Sequence, residues 1–191
     1  IGDIIMFSSM IPEFCSNLEN IIFECDQKLV SLFKRSFPNN IRYVTDRIEV
    51  KASDYDSHIP IGSLPLYFRK NLIDFQNTSS GWLQADIEKV KSIRKILTKN
   101  KFKKIVGISW KTISLLTQSR LRNIELKTIV KTLQKLDIEF VNLQYGDVSA
   151  EIKNLRLEQG IEVLEIPNID LFNDIDGLAS IISSCDYVIS I

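Results

Sequence analysis

The chain has 191 residues, 45% of them hydrophobic and 25% charged, enough for packed cores in one large domain or two small ones. Its 24 basic and 24 acidic residues cancel, which argues against a surface made for nucleic acid. Three cysteines without a CxxC pair, one histidine and no apolar run of about 18 residues argue against a disulfide framework, a His-rich zinc site and a membrane span. We therefore expect a cytoplasmic protein with reduced thiols.

Both ends of the chain interrupt a structural pattern. Gly2-Asp3 followed by apolar residues is typical of the turn between a strand and a helix, yet no strand precedes it. The last residues, DYVISI at 186–191, form a strand pattern that stops. We therefore expect a fragment that is cut through structure on both sides.

The first half of the chain alternates helical and extended patterns. Helical periodicity is predicted for residues 3–18, 27–37 and 85–101. Strands are predicted for residues 20–25 and 41–45, with 47–51 as a candidate third element. Pro12 should kink or interrupt the first helix, and residues 52–84 are loop-rich. Alternating strands and helices with short loops are typical of a parallel sheet.

The same alternation restarts after residue 102. Strands are predicted for residues 103–110, 138–144, 161–166 and 186–191. Helices are predicted for residues 124–136, 150–160 and 175–185. The fold class is therefore α/β with parallel sheets, in two facing Rossmann-like domains, at residues 1–97 and 98–191, both incomplete.

Two candidate site residues lie in the first half. Asp3 would stand at the mouth of the first helix, as an N-cap or as a general base. His58 is a lone histidine, and such residues are usually satisfied by their neighbours. The run Asp54-Tyr55-Asp56 matches a DxD metal pair, but so short a pattern occurs often by chance, and we prefer a solvated turn.

A second set of candidates follows the strands of the second half. Lys111, Arg120 and Arg122 precede a predicted helix, where cations and the helix dipole together suit a diphosphate; the alternative is a solvated basic loop. Gln144 and Tyr145 follow the next strand, where they would meet a nucleotide base or merely end the strand. No P-loop, complete GxGxxG or GxSxG motif is present.

Several of these stretches together resemble one family. In order along the chain they are GDIIMFSSMIP, FECDQKLVSLFKRSFP, DSHIPIGSLPLYF, GISWK…RNIEL, NLQYGD and IDGLASIISSCDYVISI. They resemble the glycosyltransferase region found behind tetratricopeptide repeats in bacterial proteins. That region is similar to the heptosyltransferases and, more distantly, to protein O-linked N-acetylglucosamine transferase. The resemblance spans almost the whole chain.

The resemblance implies a GT-B architecture and a metal-independent, inverting transfer of a sugar from a UDP-, GDP- or ADP-linked donor to a protein or glycan hydroxyl. Asp3 would be the catalytic base, and His58 a polar residue near the cleft. Arg122 would bind the donor phosphate with help from Lys111 and Arg120. Ser109 and Gln144 complete the expected donor contacts, and Asp3 and Arg122 are expected to line one groove.

Relatives in this family continue into a Thr-rich, His-containing turn that also holds the donor, and the chain ends before it. We therefore expect weak or no transfer by the fragment. The alternatives are a non-catalytic, transferase-like module associated with tetratricopeptide repeats, and a two-lobed small-molecule binding protein of the periplasmic type. Exposed strands at the two ends would also allow a homodimer through edge pairing.

Overall fold

The computed structural model describes residues 1–16, 18–75, 81–98, 103–112 and 123–191. Within them the protein is a mixed α/β molecule with two parallel sheets, consistent with the predicted Rossmann-like class. The chain divides into two compact units, Ile1–Gln84 and Ala85–Ile191, and each unit has its own sheet.

Two short helices open the first unit. They are α1 (Gly2–Phe7) and α2 (Ile11–Cys15), separated by a 3₁₀ turn at Ser8–Met10. Because Pro12 has no N–H, the Ser8 carbonyl accepts the amide of the residue before the proline, in a 3₁₀ pattern. The predicted first helix is thus interrupted, as the proline indicated.

The sheet of the first unit is one strand–helix–strand repeat. Strand β1 (Ile21–Glu24) pairs in parallel with β2 (Ile41–Val44), and α3 (Gln27–Ser36) connects them. Asp26 caps α3 by accepting a hydrogen bond from the Lys28 amide at 2.9 Å. The helical periodicity of residues 27–37 places four apolar side chains on one face, and all four are buried: Leu29, Val30, Leu32 and Phe33.

Long-range polar contacts hold the loop-rich stretch of the first unit, which contains the short helix α4 (Pro65–Phe68). The Arg69 guanidinium, 5% exposed, donates to both carboxylate oxygens of Glu13 at 2.6 and 2.8 Å. The Trp82 indole N–H donates to the buried Ser8 hydroxyl at 2.9 Å. Both partners belong to the opening helical segment, so these contacts fix the later loop against it.

The second unit has a four-stranded parallel sheet. Its strands are β3 (Lys104–Ser109), β4 (Ile138–Asn142), β5 (Val163–Leu164) and β6 (Tyr187–Ser190), in the spatial order β5-β4-β3-β6. Its helices are α5 (Ile87–Leu97), α6 (Leu126–Leu133), α7 (Ser149–Gln159) and α8 (Ile175–Ser183). The strand order corresponds to the first four strands of the Rossmann order. No helix among the described residues is long and apolar enough to cross a membrane.

Helices cover both faces of this sheet. The side chains of β3 alternate between the two faces, so this strand contributes to both cores. Val106 and Ile108 pack with α6 and α7, whereas Ile105 packs with α5 and α8. Gly107 faces the second group, where an added Cβ would lie 2.5 Å from the Leu143 Cδ1 atom. The glycine therefore lets the Leu143 side chain lie directly on the strand.

Arg94 ties α5 to the junction between α8 and β6. Its guanidinium donates to the Ser184 carbonyl at 2.6 Å and to the Asp186 carboxylate at 3.0 Å. The other oxygen of Asp186 accepts the Ile105 amide at 2.8 Å. The backbone hydrogen bond from Ile105, together with Arg94, lowers the pKa of the Asp186 carboxyl. Helix α5 is thus part of the second unit.

The structure differs from the sequence prediction at several boundaries. The units divide between Gln84 and Ala85, whereas the sequence placed the boundary after residue 97. Residues 161–166 supply only the two-residue strand β5, and residues 47–51 contain a 3₁₀ turn rather than a strand. Of the apolar residues on α5, Ile93 and Leu97 are buried against the sheet, whereas Ile87 and Ile96 are exposed.

The three cysteines are free thiols. Cys15 and Cys25 are buried in the first unit, and Cys185 is half-buried in the second. Burial raises the pKa of each thiol to about 11. All three are therefore protonated at neutral pH in the folded state.

Candidate functional site

The candidate site lies at the carboxyl edge of the second unit's sheet. Parallel sheets bind ligands there, at the point where consecutive connections leave in opposite directions. In this sheet that point lies between β3 and β6, and Ser109 is the partner of Ser190 at the ends of the two strands. The predicted donor contacts Ser109, Lys111 and Gln144 all belong to this edge.

Gln144 fixes the backbone where β3 ends. Its side-chain oxygen accepts hydrogen bonds from the Trp110 amide at 3.0 Å, the Lys111 amide at 2.9 Å and the Ser109 hydroxyl at 3.2 Å. Its side-chain nitrogen donates to the Tyr145 carbonyl at 3.1 Å. The residue is 1% exposed, and both atoms of its amide group are engaged within the protein.

Lys111 is paired with an acidic residue that the sequence analysis missed. The Lys111 ammonium contacts one carboxylate oxygen of Glu151, and the Trp110 indole N–H donates to the other at 2.8 Å. Glu151 lies in the first turn of α7, and the Lys111 and Glu151 side chains are 24% and 41% exposed. The cation predicted to meet a phosphate therefore already has a counter-ion.

The connection from β3 to α6 is closed at its base by hydrogen bonds. The Thr112 amide donates to the Asn123 side chain and the Ile124 amide to the Trp110 carbonyl, both at 2.9 Å. Both ends of the connection therefore lie beside the exit of β3. Arg120 and Arg122, the predicted phosphate ligands, lie outside the described residues.

A pocket of about 520 Å³ adjoins this exit and shares Gln144 with it. It opens at the carboxyl ends of β4 and β5, and its volume is within the range of small-molecule sites. Its lining residues are Asn142, Gln144, Tyr145, Gly146, Glu165, Ile169, Asp170, Leu171 and Phe172. The Tyr145 and Phe172 rings lie 5.7 Å apart at 36° to each other. Tyr145 was singled out from the sequence, whereas Glu165 and Phe172 carried no recognisable motif.

The two predicted catalytic residues belong to the first unit. Asp3 lies exposed in the first turn of α1, whose N-cap is Ile1, so the N-cap interpretation of Asp3 is wrong. A helix that begins one residue earlier than predicted moves the carboxylate out of the capping position. His58 is exposed, with its ring edge-on to Tyr55 at 5.9 Å. Gly62, in the 3₁₀ turn that follows, approaches Phe7 of α1.

The DxD run is engaged in local structure. Asp54 ends a 3₁₀ turn at Ala52–Asp54, and its carboxylate accepts the Lys51 amide at 3.1 Å. The Arg42 guanidinium lies 3.8 Å from the same oxygen. Within the described ranges, no three His, Cys, Asp or Glu side chains are grouped as a metal site would need.

The described parts of the chain therefore define an α/β protein with a parallel, Rossmann-ordered sheet and a pocket at its carboxyl edge. The chain is similar to Protein FlbA of Caulobacter vibrioides, with 27% identity over 205 residues. That alignment covers 99% of the chain and 34% of FlbA, so the chain spans about a third of the length of this relative. No family model matches the chain. No solved structure matches it either.

Proposed function

We propose that the chain is part of a metal-independent, inverting glycosyltransferase of the GT-B type, which transfers a sugar from a nucleotide donor to a protein or glycan hydroxyl. The observation that carries the proposal is the carboxyl edge of the second sheet. There a lysine at the exit of β3 and an aromatic, carboxylate-lined pocket share one residue, Gln144. A nucleoside diphosphate has matching parts, a charged end and a flat, hydroxylated end.

The donor is assigned to this edge in two parts. Lys111, Arg120 and Arg122 hold the diphosphate, the last two on the strength of the family resemblance. The nucleobase lies against Tyr145 and Phe172, since aromatic side chains stack on any nucleobase. The Glu165 carboxylate accepts hydrogen bonds from the ribose hydroxyls, as acidic residues do at the ends of Rossmann strands.

The transfer requires a general base for the acceptor hydroxyl and stabilisation of the diphosphate leaving group. The acceptor hydroxyl gives its proton to the Asp3 carboxylate, and its oxygen bonds to the anomeric carbon as the bond to the diphosphate breaks. The diphosphate leaves with the bonding electron pair, and cationic side chains stabilise its charge. The role of Asp3, with His58 as a neighbouring polar residue, rests on the resemblance.

Titration with UDP, GDP and ADP tests the donor assignment. We expect saturable binding of one of them, weakened at least tenfold by Phe172→Ala and by Lys111→Met. Phe172 is 58% exposed, so its removal leaves the core intact. The exposed Leu157 of α7 gives the matched control Leu157→Ala, and the exposed Lys135 gives Lys135→Met. Indifference to all three nucleotides would refute the assignment.

Turnover is tested with the nucleotide sugar whose nucleotide binds. We expect weak or no transfer by the 191-residue chain, and any transfer should fall at least a hundredfold in Asp3→Asn, as loss of a general base predicts. Robust turnover by the chain would contradict the first expectation. Turnover unchanged in Asp3→Asn would remove Asp3 from the mechanism.

One observation favours a second candidate, a non-catalytic transferase-like module associated with tetratricopeptide repeats. The Lys111 ammonium is already neutralised by Glu151, as in a site that no longer receives a phosphate. This candidate predicts no nucleotide binding even in longer versions of the protein. The transferase proposal predicts that such versions bind the nucleotide and turn over the nucleotide sugar.

A further inference from the structure

We propose that Glu151 is an internal counter-ion that occupies the Lys111 ammonium and that a diphosphate must displace before it binds. The inference rests on the proposed function, since it assigns the control of phosphate binding at the same lysine. It concerns a residue that acts through another: Glu151 sets how strongly Lys111 attracts an anionic ligand.

The carboxylate of Glu151 is held in place by more than the lysine. Its second oxygen accepts the Trp110 indole N–H at 2.8 Å. The indole is buried, and the backbone amide of Trp110 is fixed by Gln144 at 3.0 Å. The carboxylate therefore keeps its position in front of the exit of β3 when the lysine side chain moves away.

Lys111 is held near this carboxylate by its backbone and not only by its charge. Its amide donates to Gln144 at 2.9 Å, so the start of its side chain is fixed while the ammonium end turns about flexible bonds. The ammonium can therefore contact Glu151 or a nearby bound anion while the Lys111 backbone stays in place. Among the described residues Glu151 is the carboxylate that the ammonium contacts, and Asp147 also lies near enough for the Lys111 charge to act on it.

The pair is exposed enough to be exchanged. Partly exposed ion pairs contribute little to stability, so a ligand that brings more charge than one carboxylate can replace the glutamate. A diphosphate brings two or more charges and several acceptor oxygens, whereas a monoanion would exchange one charge for one charge. The arrangement therefore favours multiply charged ligands at this position.

The test measures binding of inorganic pyrophosphate to the 191-residue chain and to two variants of α7. Glu151→Gln keeps an oxygen that accepts the Trp110 indole N–H but removes the charge that competes for Lys111. Glu158→Gln removes the same charge from an exposed position on the same helix, as a matched control. Calorimetry gives the affinities, and thermal unfolding shows whether each variant remains folded.

The two tryptophans provide a local readout. In a ¹⁵N spectrum of the indole N–H groups, the Trp110 signal reports on Glu151, whereas the Trp82 signal reports on Ser8. We expect pyrophosphate to shift the Trp110 signal of the unsubstituted chain and to leave the Trp82 signal in place. Lys111→Met should abolish the shift.

We expect Glu151→Gln to bind pyrophosphate about two- to fivefold more tightly than the unsubstituted chain, as removal of a partly exposed competing charge predicts, and Glu158→Gln to bind as the unsubstituted chain does. Weaker or unchanged binding by Glu151→Gln, an equal gain in Glu158→Gln, or no pyrophosphate binding by any variant would each overturn the inference. Tighter binding in Glu151→Gln without any nucleotide binding would keep the counter-ion role and refute the transferase proposal.

Discussion

At the end of β3, one side-chain oxygen does the work of a backbone partner. The amides of Trp110 and Lys111 both lie beyond the last pairing of β3 with β4, and both donate hydrogen bonds to the Gln144 side-chain oxygen. Buried amides without a partner are strongly unfavourable, so this oxygen keeps the backbone shape from which Lys111 projects. The residue therefore serves the site through its neighbours.

Gln144→Leu should lower the free energy of unfolding by about 2 to 4 kcal/mol, because it leaves one buried and one partly buried amide unpaired, and a buried amide without a partner costs about 1 to 3 kcal/mol. Urea unfolding at 25 °C measures the loss. The exposed Gln134→Leu is the control and should change stability by less than about 0.5 kcal/mol. A loss in Gln144→Leu no larger than in the control would mean that water replaces the glutamine.

Asp186 makes stability depend on pH. Its pKa is lowered in the folded state by the Ile105 amide and by Arg94, so its contribution is present above the unfolded pKa of about 3.9 and is lost as pH falls through the folded pKa. Asp186→Asn should therefore be about 1 to 2 kcal/mol less stable at pH 7, and the difference should shrink below about pH 4.

Urea unfolding at pH 7, 5, 4 and 3 checks this dependence. The same substitution at the exposed Asp56 is the control for the removal of a surface charge. A difference between Asp186→Asn and the unsubstituted chain that stays constant down to pH 3 would show that the carboxylate charge contributes nothing.

At the scale of elements, strand β3 contributes to both cores of the second unit. It is central in the sheet, its side chains enter both cores, and its one glycine lies under Leu143. Because cores are close-packed, the strand has no room for an extra methyl group at that position.

Gly107→Ala should lower the free energy of unfolding by about 1 to 3 kcal/mol, since its Cβ would lie 2.5 Å from the Leu143 Cδ1 atom. Leu143→Ala should lower the free energy of unfolding by less in the Gly107→Ala variant than in the unsubstituted chain, because it removes the side chain that the new Cβ would meet. Gly62→Ala is the control, because its Cβ would lie at an ordinary 3.7 Å from the Phe7 ring. Additive losses in the double variant would disprove the clash.

Sequence patterns predicted the alternation of elements well and their limits less well. The face of α3 and the interruption at Pro12 follow from periodicity and from the missing proline amide, which are local properties. The exposure of Ile87 and Ile96 and the brevity of β5 depend on which surfaces meet in the folded protein, and local patterns do not contain that information.

The candidate site was predictable in the same uneven way. Ser109, Lys111 and Gln144 lie at strand ends, which sequence patterns locate. Glu151 and Glu165 are ordinary charged residues in their own segments and gain meaning only from Lys111 and Asn142, which approach them across the fold. Pairing across long sequence separations leaves no mark in a single sequence.

At the scale of the whole chain, the boundary between the units decides what folds alone. Residues 85–191 contain a sheet whose two faces are both covered, one of them by α5. A boundary after residue 97 would remove α5 with Ile93 and Leu97, and would uncover Ile105 and Val141. A fragment that begins at residue 85 therefore keeps this core covered, whereas one that begins at residue 98 exposes part of it to water.

We expect residues 85–191 expressed alone to unfold cooperatively. Residues 98–191 should be less stable by about 3 to 6 kcal/mol or remain unfolded, because they lose two buried side chains worth about 1.5 to 3 kcal/mol each. Circular dichroism during thermal unfolding compares the two. Equal stability of the two fragments would show that α5 is dispensable and would favour the boundary predicted from the sequence.

The three thiols can report separately on local opening of the two units, since Cys15 and Cys25 lie in the first and Cys185 in the second. Alkylating reagents attack the thiolate. Burial raises the pKa of each thiol to about 11, and Cys15 and Cys25 are buried and Cys185 half-buried, so we expect alkylation to be fast only after the fold opens locally. Cys15 and Cys25 would record openings of the first half and Cys185 those of the second. Mass spectrometry after a maleimide pulse would thus measure how often each half opens, without any introduced cysteine.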